Sequence, residues 1–411
     1  MSVLVLGTGT TIKRLKQVFK SSPDFVFLSF APALKDLDLF IDSLAQKIKK
    51  GTLQNITFVM GLTDTSSLIA YLLNKRLGFS GPSAKALLNC QNKYICREIS
   101  SKFLPQNTPK YALASLDTLN SSYRTLKNEN GEVFYKPVKG SLSFFSSEVT
   151  SPRQLSDVYL KFSKIKKSRN KFFNQIVSLL PKEEVKDFQK SLNQLLLEQV
   201  IKGEQITLDG YVDSSCNVGF FGITKSTFLP NTLSFTRFDF PYSFNTVIDE
   251  KIQAISKTLV RSLGLKRSLF NIEYMVDGQD IKIIEINPRP SSQFMYLIHH
   301  SLGTHPLEYA FKDKPPCKST ILNYSSIFIL RRDQDALALK VPSKSLISSL
   351  ERKYKCEINL FVKENKKLSQ YTQDEYTYRY AEIKVFGNSF AQNKLIYNKI
   401  KASLPFEWQK V

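Results

Sequence analysis

The chain has 411 residues, 42% of them apolar, and its 58 Lys and Arg against 36 Asp and Glu leave a net charge of +22. That length admits several domains and that apolar share suffices for packed cores, which excludes a disordered chain. No stretch approaches the roughly 18 apolar residues of a membrane-spanning helix, and no basic segment precedes the apolar start MSVLVLG, so a first strand and cytoplasmic residence are expected instead of a signal peptide.

Taken in chain order, VLVLG reads as a strand, followed by an amphipathic helix over Thr11–Lys20 and a strand at Asp24–Phe30. A helix over Leu37–Lys50 stops at Gly51, a strand follows at Ile56–Gly61, and a helix over Ser66–Leu77 stops at Gly78. Alternating elements of this length predict a parallel sheet with right-handed crossovers. GTGT at Gly7–Thr10 lacks the third glycine of a dinucleotide fingerprint, so a tight turn explains it as well. After Gly81–Ser83 one helix is expected, carrying Lys85, Cys90, Lys93 and Arg97 and ending near Lys102. Short strands are expected over Tyr111–Val149, a basic helical stretch over Pro152–Gln194, and strands again through LLLEQVIKGEQITLDGYVD and VGFFGIT. A helix over Ile248–Gly264 leads into a hairpin, a helix covers Ser292–Ser301, and a separate C-terminal subdomain begins near Lys312.

The five cysteines are scattered without a C-x-x-C pair, and the three histidines fall within 299–305. Neither a disulfide framework nor a zinc site is indicated. The densest basic segment, Lys161–Lys190, carries no recognised nucleic-acid motif. A nucleic-acid partner is therefore the lesser reading of the charge, and an anionic substrate such as ATP the greater.

The hairpin FNIEYMVDGQDIKIIEINPRP carries the most chemistry. Period-2 geometry sets Ile283, Glu285, Asn287 and Arg289 on one face of its second strand. Two carboxylates and an amide oxygen suit Mg²⁺, with Mn²⁺ as the alternative hard cation, and Arg289 would face phosphates or an anionic substrate. Glu273 joins that face only if the connection is odd in length. A three-residue loop at Gly278–Asp280 sets it opposite Glu285, whereas a two-residue turn at Gly278–Gln279 sends it to the other side. Upstream, FYKPVKGSLS ends a strand on Lys136 beside a Gly/Ser loop whose amides and hydroxyls, Ser141 among them, could cover phosphates. Glu198 ends another strand; the backbone edge over Gln199–Ile201 can pair with an adenine edge, and Gln205, seven residues on, can reach ribose hydroxyls, with Glu204 as the fallback.

The order of these pieces, in GPSAKALLNCQNKYICREI, FYKPVKGSLS, LLEQVIKGEQITLDGYV and FNIEYMV…IIEINPRPSS, resembles the ATP-grasp superfamily. Within it the chain looks most like the carboxylate–amine ligase branch, which includes L-amino-acid ligases and biotin-carboxylase-like ligases. The resemblance covers the layout of roughly residues 1–310. It implies that Lys93 and Lys136 hold ATP phosphates, that Glu198 anchors the adenine pocket with Val200 and Ile201 on the base, and that Glu273, Glu285 and Asn287 hold the metal. Arg289 would stabilise the phosphate or an acyl-phosphate intermediate. Leu142 and Phe145 stand where the family's flap is usually glycine, and Gln205 where a glutamate is usual.

The fold implied is α/β plus α+β: an N-terminal parallel α/β domain (1–108), a mobile lid with a basic helical insertion (109–197), a central antiparallel ATP and metal domain (198–312), and a C-terminal β-rich subdomain (313–411). The activity implied is ATP-dependent joining of a small-molecule carboxylate to an amine. Arg237, within Leu233–Asn245, is the candidate clamp for a substrate carboxylate. Other ATP-grasp chemistry, such as carboxylation of a small amine, and a basic nucleic-acid- or partner-binding protein remain the alternatives. Many ligases of this kind dimerise, so a homodimer is one expected assembly.

Overall fold

The computed structural model describes residues 2–18, 24–30, 36–53, 55–140, 144–169, 171–312, 320–371, 373–374 and 376–411. The N-terminal unit follows the alternating pattern of the sequence: β1 (Ser2–Gly7), α1 (Gly9–Val18), β2 (Phe25–Ser29), α2 (Leu37–Lys49), β3 (Ile56–Gly61) and α3 (Asp64–Leu77). Its three strands are parallel in the order β2-β1-β3, and Val3 to Leu6 are fully buried, as in a strand covered on both sides. Thr63 and Ser66 form a capping box at the start of α3, and Gly78 ends it with a left-handed cap. A Cβ on Gly61 would lie 2.2 Å from the backbone of Ser66, so the strand meets the helix this closely only through glycine.

The single helix expected next is two, α4 (Ala84–Gln91) and α5 (Lys93–Phe103). Asn92 leaves the helical conformation and its side chain accepts from Ile95 N, capping α5. Its amide nitrogen donates to Ser191 Oγ at 2.9 Å. A buried asparagine that caps and pegs at once breaks a pattern that otherwise reads as continuous.

β4 (Tyr111–Leu113), β5 (Val133–Pro137), β6 (Ser147–Val149) and β7 (Leu195–Gln199) form an antiparallel sheet in the order β4-β7-β5-β6. One helix unforeseen among these strands, α6 (Leu119–Leu126), packs on it. The basic stretch is α7 (Pro152–Arg169), α8 (Lys171–Ser178) and α9 (Lys182–Ser191). Leu155 and Phe162 of α7 join the core of the four-stranded sheet, but α8 and α9 do not. Phe173, Ile176, Val185 and Phe188 sit in one cluster with Leu68, Leu72 and Leu87 of the N-terminal unit.

The central sheet runs through β8 (Glu204–Val212), β9 (Val218–Phe228), β10 (Phe235–Tyr242), β11 (Ser268–Asp277) and β12 (Asp280–Asn287), with α10 (Thr246–Leu263) and α11 (Ser292–Leu302). The C-terminal part, expected as a separate subdomain, continues it. β13 (Tyr324–Arg332), β15 (Cys356–Leu360) and β17 (Tyr378–Gly387) complete an eight-stranded sheet in the order β12-β11-β8-β9-β10-β13-β17-β15. Of the C-terminal strands, β14 (Ala336–Lys340), β16 (Lys366–Lys367) and β18 (Glu407–Lys410) form a sheet of their own, while α12 (Lys344–Tyr354) and α13 (Phe390–Ser403) pack on β13, β15 and β17. Strand β13 pairs with β10 because Ile327 and Ile329 share an apolar cluster with Phe238, Phe240 and Leu297. Among the described residues no helix is long and apolar enough to cross a membrane.

Candidate active site

The hairpin uses the two-residue turn, with Asp277 paired to Asp280 across Gly278–Gln279. A regular ladder from that turn would set Ile284 opposite Glu273. The ladder is irregular: Tyr274 pairs with Ile283, but Glu273 pairs with Glu285, leaving Ile284 as the extra residue of a bulge. The bulge puts the two carboxylates on one face despite the short turn. It also corrects the placement of Ile283, which lies with Tyr274 and Ile272 in the core beneath α10 and not beside Glu285.

The displaced Ile284 carbonyl is used. It accepts from Arg97 Nη2 at 2.7 Å and from Lys136 Nζ at 3.5 Å. Arg97 is 1% exposed and donates through Nε to Glu198 Oε1 at 2.6 Å, while Lys136 Nζ is 2.6 Å from the other Glu198 oxygen. Both oxygens of Glu198 are therefore taken, so this residue serves the site by holding Lys136 and not by offering a free carboxylate to a base. Burial first, then Arg97 and Lys136, act on Glu198, and the two cations prevail and hold it below its ordinary range. Burial is the larger influence on Lys136, lowering it despite Glu198.

Lys93 opens α5, its amide donating to Val138 O. Its ammonium lies 3.0 Å from Glu285 Oε2 and donates to Gly140 O at 2.8 Å. Burial alone would raise Glu285, but Lys93 and Lys136 hold it below the usual carboxylate range. Glu273 has no such cation in contact. It accepts from Gln205 Nε2 at 2.9 Å, and burial followed by the Glu285 charge pushes it up to about 8. Asn287 Oδ1 accepts from Arg289 Nη2 at 3.1 Å, and its amide nitrogen donates to Asn271 Oδ1.

Two facing carboxylates and one amide oxygen, the first kept neutral by burial and its neighbour's charge, are a donor set that a divalent cation would relieve. Among the described residues no set of three His, Cys, Asp or Glu side chains gathers to hold a metal. A cation here would thus draw on Glu273, Glu285 and Asn287 and leave its other positions to water and phosphate oxygens, the habit of Mg²⁺.

Neighbour pairs across the sheet decide which other residues join. Gln205, Thr207 and Asp209 alternate on β8, and Thr207 pairs with both Glu273 and Thr224, so these share the metal face. The opposite face carries Glu204, Ile206, Lys225 and Asp239. Glu204, the fallback for a ribose, instead lies 2.8 Å from Lys225 Nζ and accepts from Tyr242 OH. Arg237 shares that opposite face. It lies 2.8 Å from Asp239, donates to Phe390 O and stacks over Phe328, so the structure does not bring it to the candidate site. Val200 and Ile201 lie half-buried in the link from β7 to β8. Ser141 and Leu142 fall outside the described residues, whereas Phe145 adopts the left-handed backbone (φ +52°) that glycine favours and packs on Tyr135 and Phe162.

Besides Arg97, further participants were not foreseen. Asp64, at the first turn of α3, accepts from Arg289 Nε at 2.9 Å and from Lys139 Nζ, which also donates to Gln91 Oε1. Burial opposes its charge, but Lys139 and Arg289 hold it well below the usual carboxylate range. The available signal was position: an acid just past the carboxyl end of a parallel strand, where α/β sheets bind ligands. Asn271, which fixes the Asn287 amide, sits two residues before Glu273 on the same face. Asp209, paired with Asn271 across β8 and β11, is another.

Residues 131–296 match the family of the ATP-grasp domain. The large chain of carbamoyl phosphate synthase from Clostridium acetobutylicum is 23% identical over 331 residues, which is 79% of this chain and 28% of that one. The chain thus spans little more than a quarter of that relative's length. L-amino acid ligase from Bacillus licheniformis superposes with a TM-score of 0.71 at 14% identity, covering 100% of this chain and 99% of its own. N5-carboxyaminoimidazole ribonucleotide synthetase from Thermotoga maritima gives 0.64 at 12% identity over 99% of each chain. Biotin carboxylase from Campylobacter jejuni gives 0.63 at 12% identity over 100% of this chain and 92% of its own.

Proposed function

On an ATP-grasp fold whose ATP-grasp domain spans residues 131–296, we propose that the chain is an ATP-dependent ligase that activates a carboxylate as its acyl phosphate and joins it to an amine. The observation that carries this reading is the pairing of Glu273 with Glu285 beside Asn287 and Arg289, with Lys93 on Glu285 and Lys136 held at the adjoining Ile284 carbonyl by Glu198. In this reading Glu273, Glu285 and Asn287 hold Mg²⁺, which when bound neutralises charge on the transferring phosphoryl group.

The chain's own groups do the rest. Lys93, already drawn to Glu285, holds phosphate oxygens, and Lys136 is aimed by Glu198 and the Ile284 carbonyl at the same place. The backbone of Val200 and Ile201 receives the base, and Gln205 the ribose. Arg289, kept extended by Asp64 and Asn287, presents its guanidinium to the phosphate or to the carboxylate being activated. The β4–β7 sheet and the central sheet enclose the site and keep water from a reactive acyl phosphate.

A screen of amino acids and polyamines for ATP-dependent phosphate release, with Glu285→Ala as the blank, tests the reading. Release that needs an acid and an amine together, and is absent in the variant, supports it. Release that follows bicarbonate instead of a carboxylate substrate would move the reading to carboxylation of a small amine.

A further inference from the structure

The metal face of the eight-stranded sheet holds more unpaired oxygen than this chemistry uses. Asp209 is 3% exposed and its Oδ2 has no hydrogen-bond partner; Thr224, fully buried on the next strand, has none for Oγ1. Buried polar atoms in folded proteins are nearly always paired, so two orphans side by side mark a place that a ligand group completes.

Register locates the place. Asp209 pairs with Asn271 on β11 and with Gly222 on β9, and Thr207, two residues earlier, pairs with Glu273 and Thr224. Asp209 and Thr224 are thus diagonal neighbours on one face, close enough for one small group to touch both. Neither flank answers the carboxylate. The Asn271 amide is committed, its nitrogen donating to Arg289 O and its oxygen accepting from Asn287, and Gly222 has no side chain to offer. Burial and then the Glu273 charge push the Asp209 carboxyl well above its usual range, with Arg289 opposing them, a penalty that an arriving cation would lift.

The chemistry of the gap selects its occupant. A carboxylate and a hydroxyl call for a group rich in donors. An ammonium presents three N–H bonds and no acceptor, and its burial requires an opposite charge such as this one. A guanidinium would use both carboxylate oxygens side by side, whereas only Oδ2 of Asp209 is a buried atom without a partner.

We propose that Asp209 Oδ2 and Thr224 Oγ1 form a subsite for the primary ammonium group of the amine-bearing substrate, beside Glu273 and Arg289. The subsite rests on the ligase reading and says where the amine is received.

Hydroxylamine, uncharged near neutral pH, traps an acyl phosphate without an ammonium subsite. Hydroxamate formation from the screened acids therefore reports activation alone, and methylamine, glycinamide and putrescine serve as ammonium-bearing probes. In Asp209→Asn the ratio of amine ligation to hydroxamate formation should fall roughly 10- to 100-fold, through the amine KM. Thr224→Val should move it the same way by less, and carries the test should Asp209→Asn fail to fold. An unchanged ratio in both variants overturns the subsite, as does a raised Mg²⁺ requirement that lowers both activities together. Hydroxamate without ligation of any probe amine overturns the subsite and leaves activation standing, whereas no hydroxamate from any acid overturns the ligase reading itself.

Discussion

The facing carboxylates make metal binding a proton-releasing event. In the metal-free protein, burial and then the Glu285 charge push Glu273 up to about 8, from an ordinary value of 4.5. A group titrating there is about nine-tenths protonated at pH 7 and about one-tenth at pH 9. A divalent cation requires the carboxylate. Binding of Mn²⁺ should therefore expel about 0.9 proton at pH 7, about 0.5 at pH 8 and about 0.1 at pH 9, with apparent affinity rising close to tenfold per pH unit until about pH 8. The same raised value fixes the sign for stability. The contribution of neutral Glu273 is fully present below its unfolded value and is lost as pH climbs through about 8, so the metal-free fold weakens toward alkaline pH. Calorimetric titration with Mn²⁺ in two buffers of different ionisation heat counts the protons, and Glu273→Gln isolates this group. Equal release at pH 7 and pH 9, or equal release in the variant, would refute the reasoning.

Arg97→Met removes one of two cations from a carboxylate that is 2% exposed, which should cost about 3–5 kcal/mol in denaturant unfolding; a loss under about 1 kcal/mol would show that Lys136 alone satisfies Glu198. Deleting Ile284 straightens the ladder yet keeps Glu273 opposite Glu285, so Mn²⁺ affinity should stay within about threefold while stability falls through the lost carbonyl of the bulge. Disappearance of metal binding would mean that the bulge itself shapes the metal face. Gly203, at φ +126° with Val276 O 2.4 Å from where a Cβ would lie, should not accept alanine: Gly203→Ala is expected to cost about 1–3 kcal/mol and to raise the ATP KM by displacing the Val200–Ile201 link, read from steady-state kinetics.

Much of this architecture is written locally. The alternation through Leu77, the left-handed caps at Gly78 and Gly264 and the existence of the hairpin, though not which of two turns closes it, depend on neighbouring residues and are legible. The residues proposed to hold the metal stand out in the sequence too, because polar side chains at Glu273, Glu285 and Asn287, within otherwise apolar strands, are costly to bury unless something binds them. What escaped reading depends on distant partners. The bulge at Ile284 is stabilised by Arg97 and Lys136, and the break at Asn92 by Ser191. Asp64 belongs to no motif, and it meets Lys139 of FYKPVKGSLS and Arg289 of the hairpin only once the N-terminal unit lies against them. Arg237 read as a clamp because a sequence does not say which face of a wide sheet a strand presents. The C-terminal strands read as separate because the chain between them and β10 hides their pairing.

Helices α8 and α9 change what kind of cover the four-stranded sheet can be. The N-terminal unit and the central sheet already share buried clusters, Val5 and Met60 with Leu269 and Met295, and Ala86 and Cys90 with Leu259 and Phe270. Phe173, Ile176 and Phe188 then fasten the sheet to that same body, at a point remote from the links at 104–110 and 200–203. Unseating them would expose apolar side chains at about 1.5–3 kcal/mol each. The sheet is consequently fastened to the rest of the molecule through α8 and α9 as well as through its own chain links. In the ligase reading, a nucleotide held beneath this sheet should leave slowly, and displacement of a fluorescent ATP analogue would time its release.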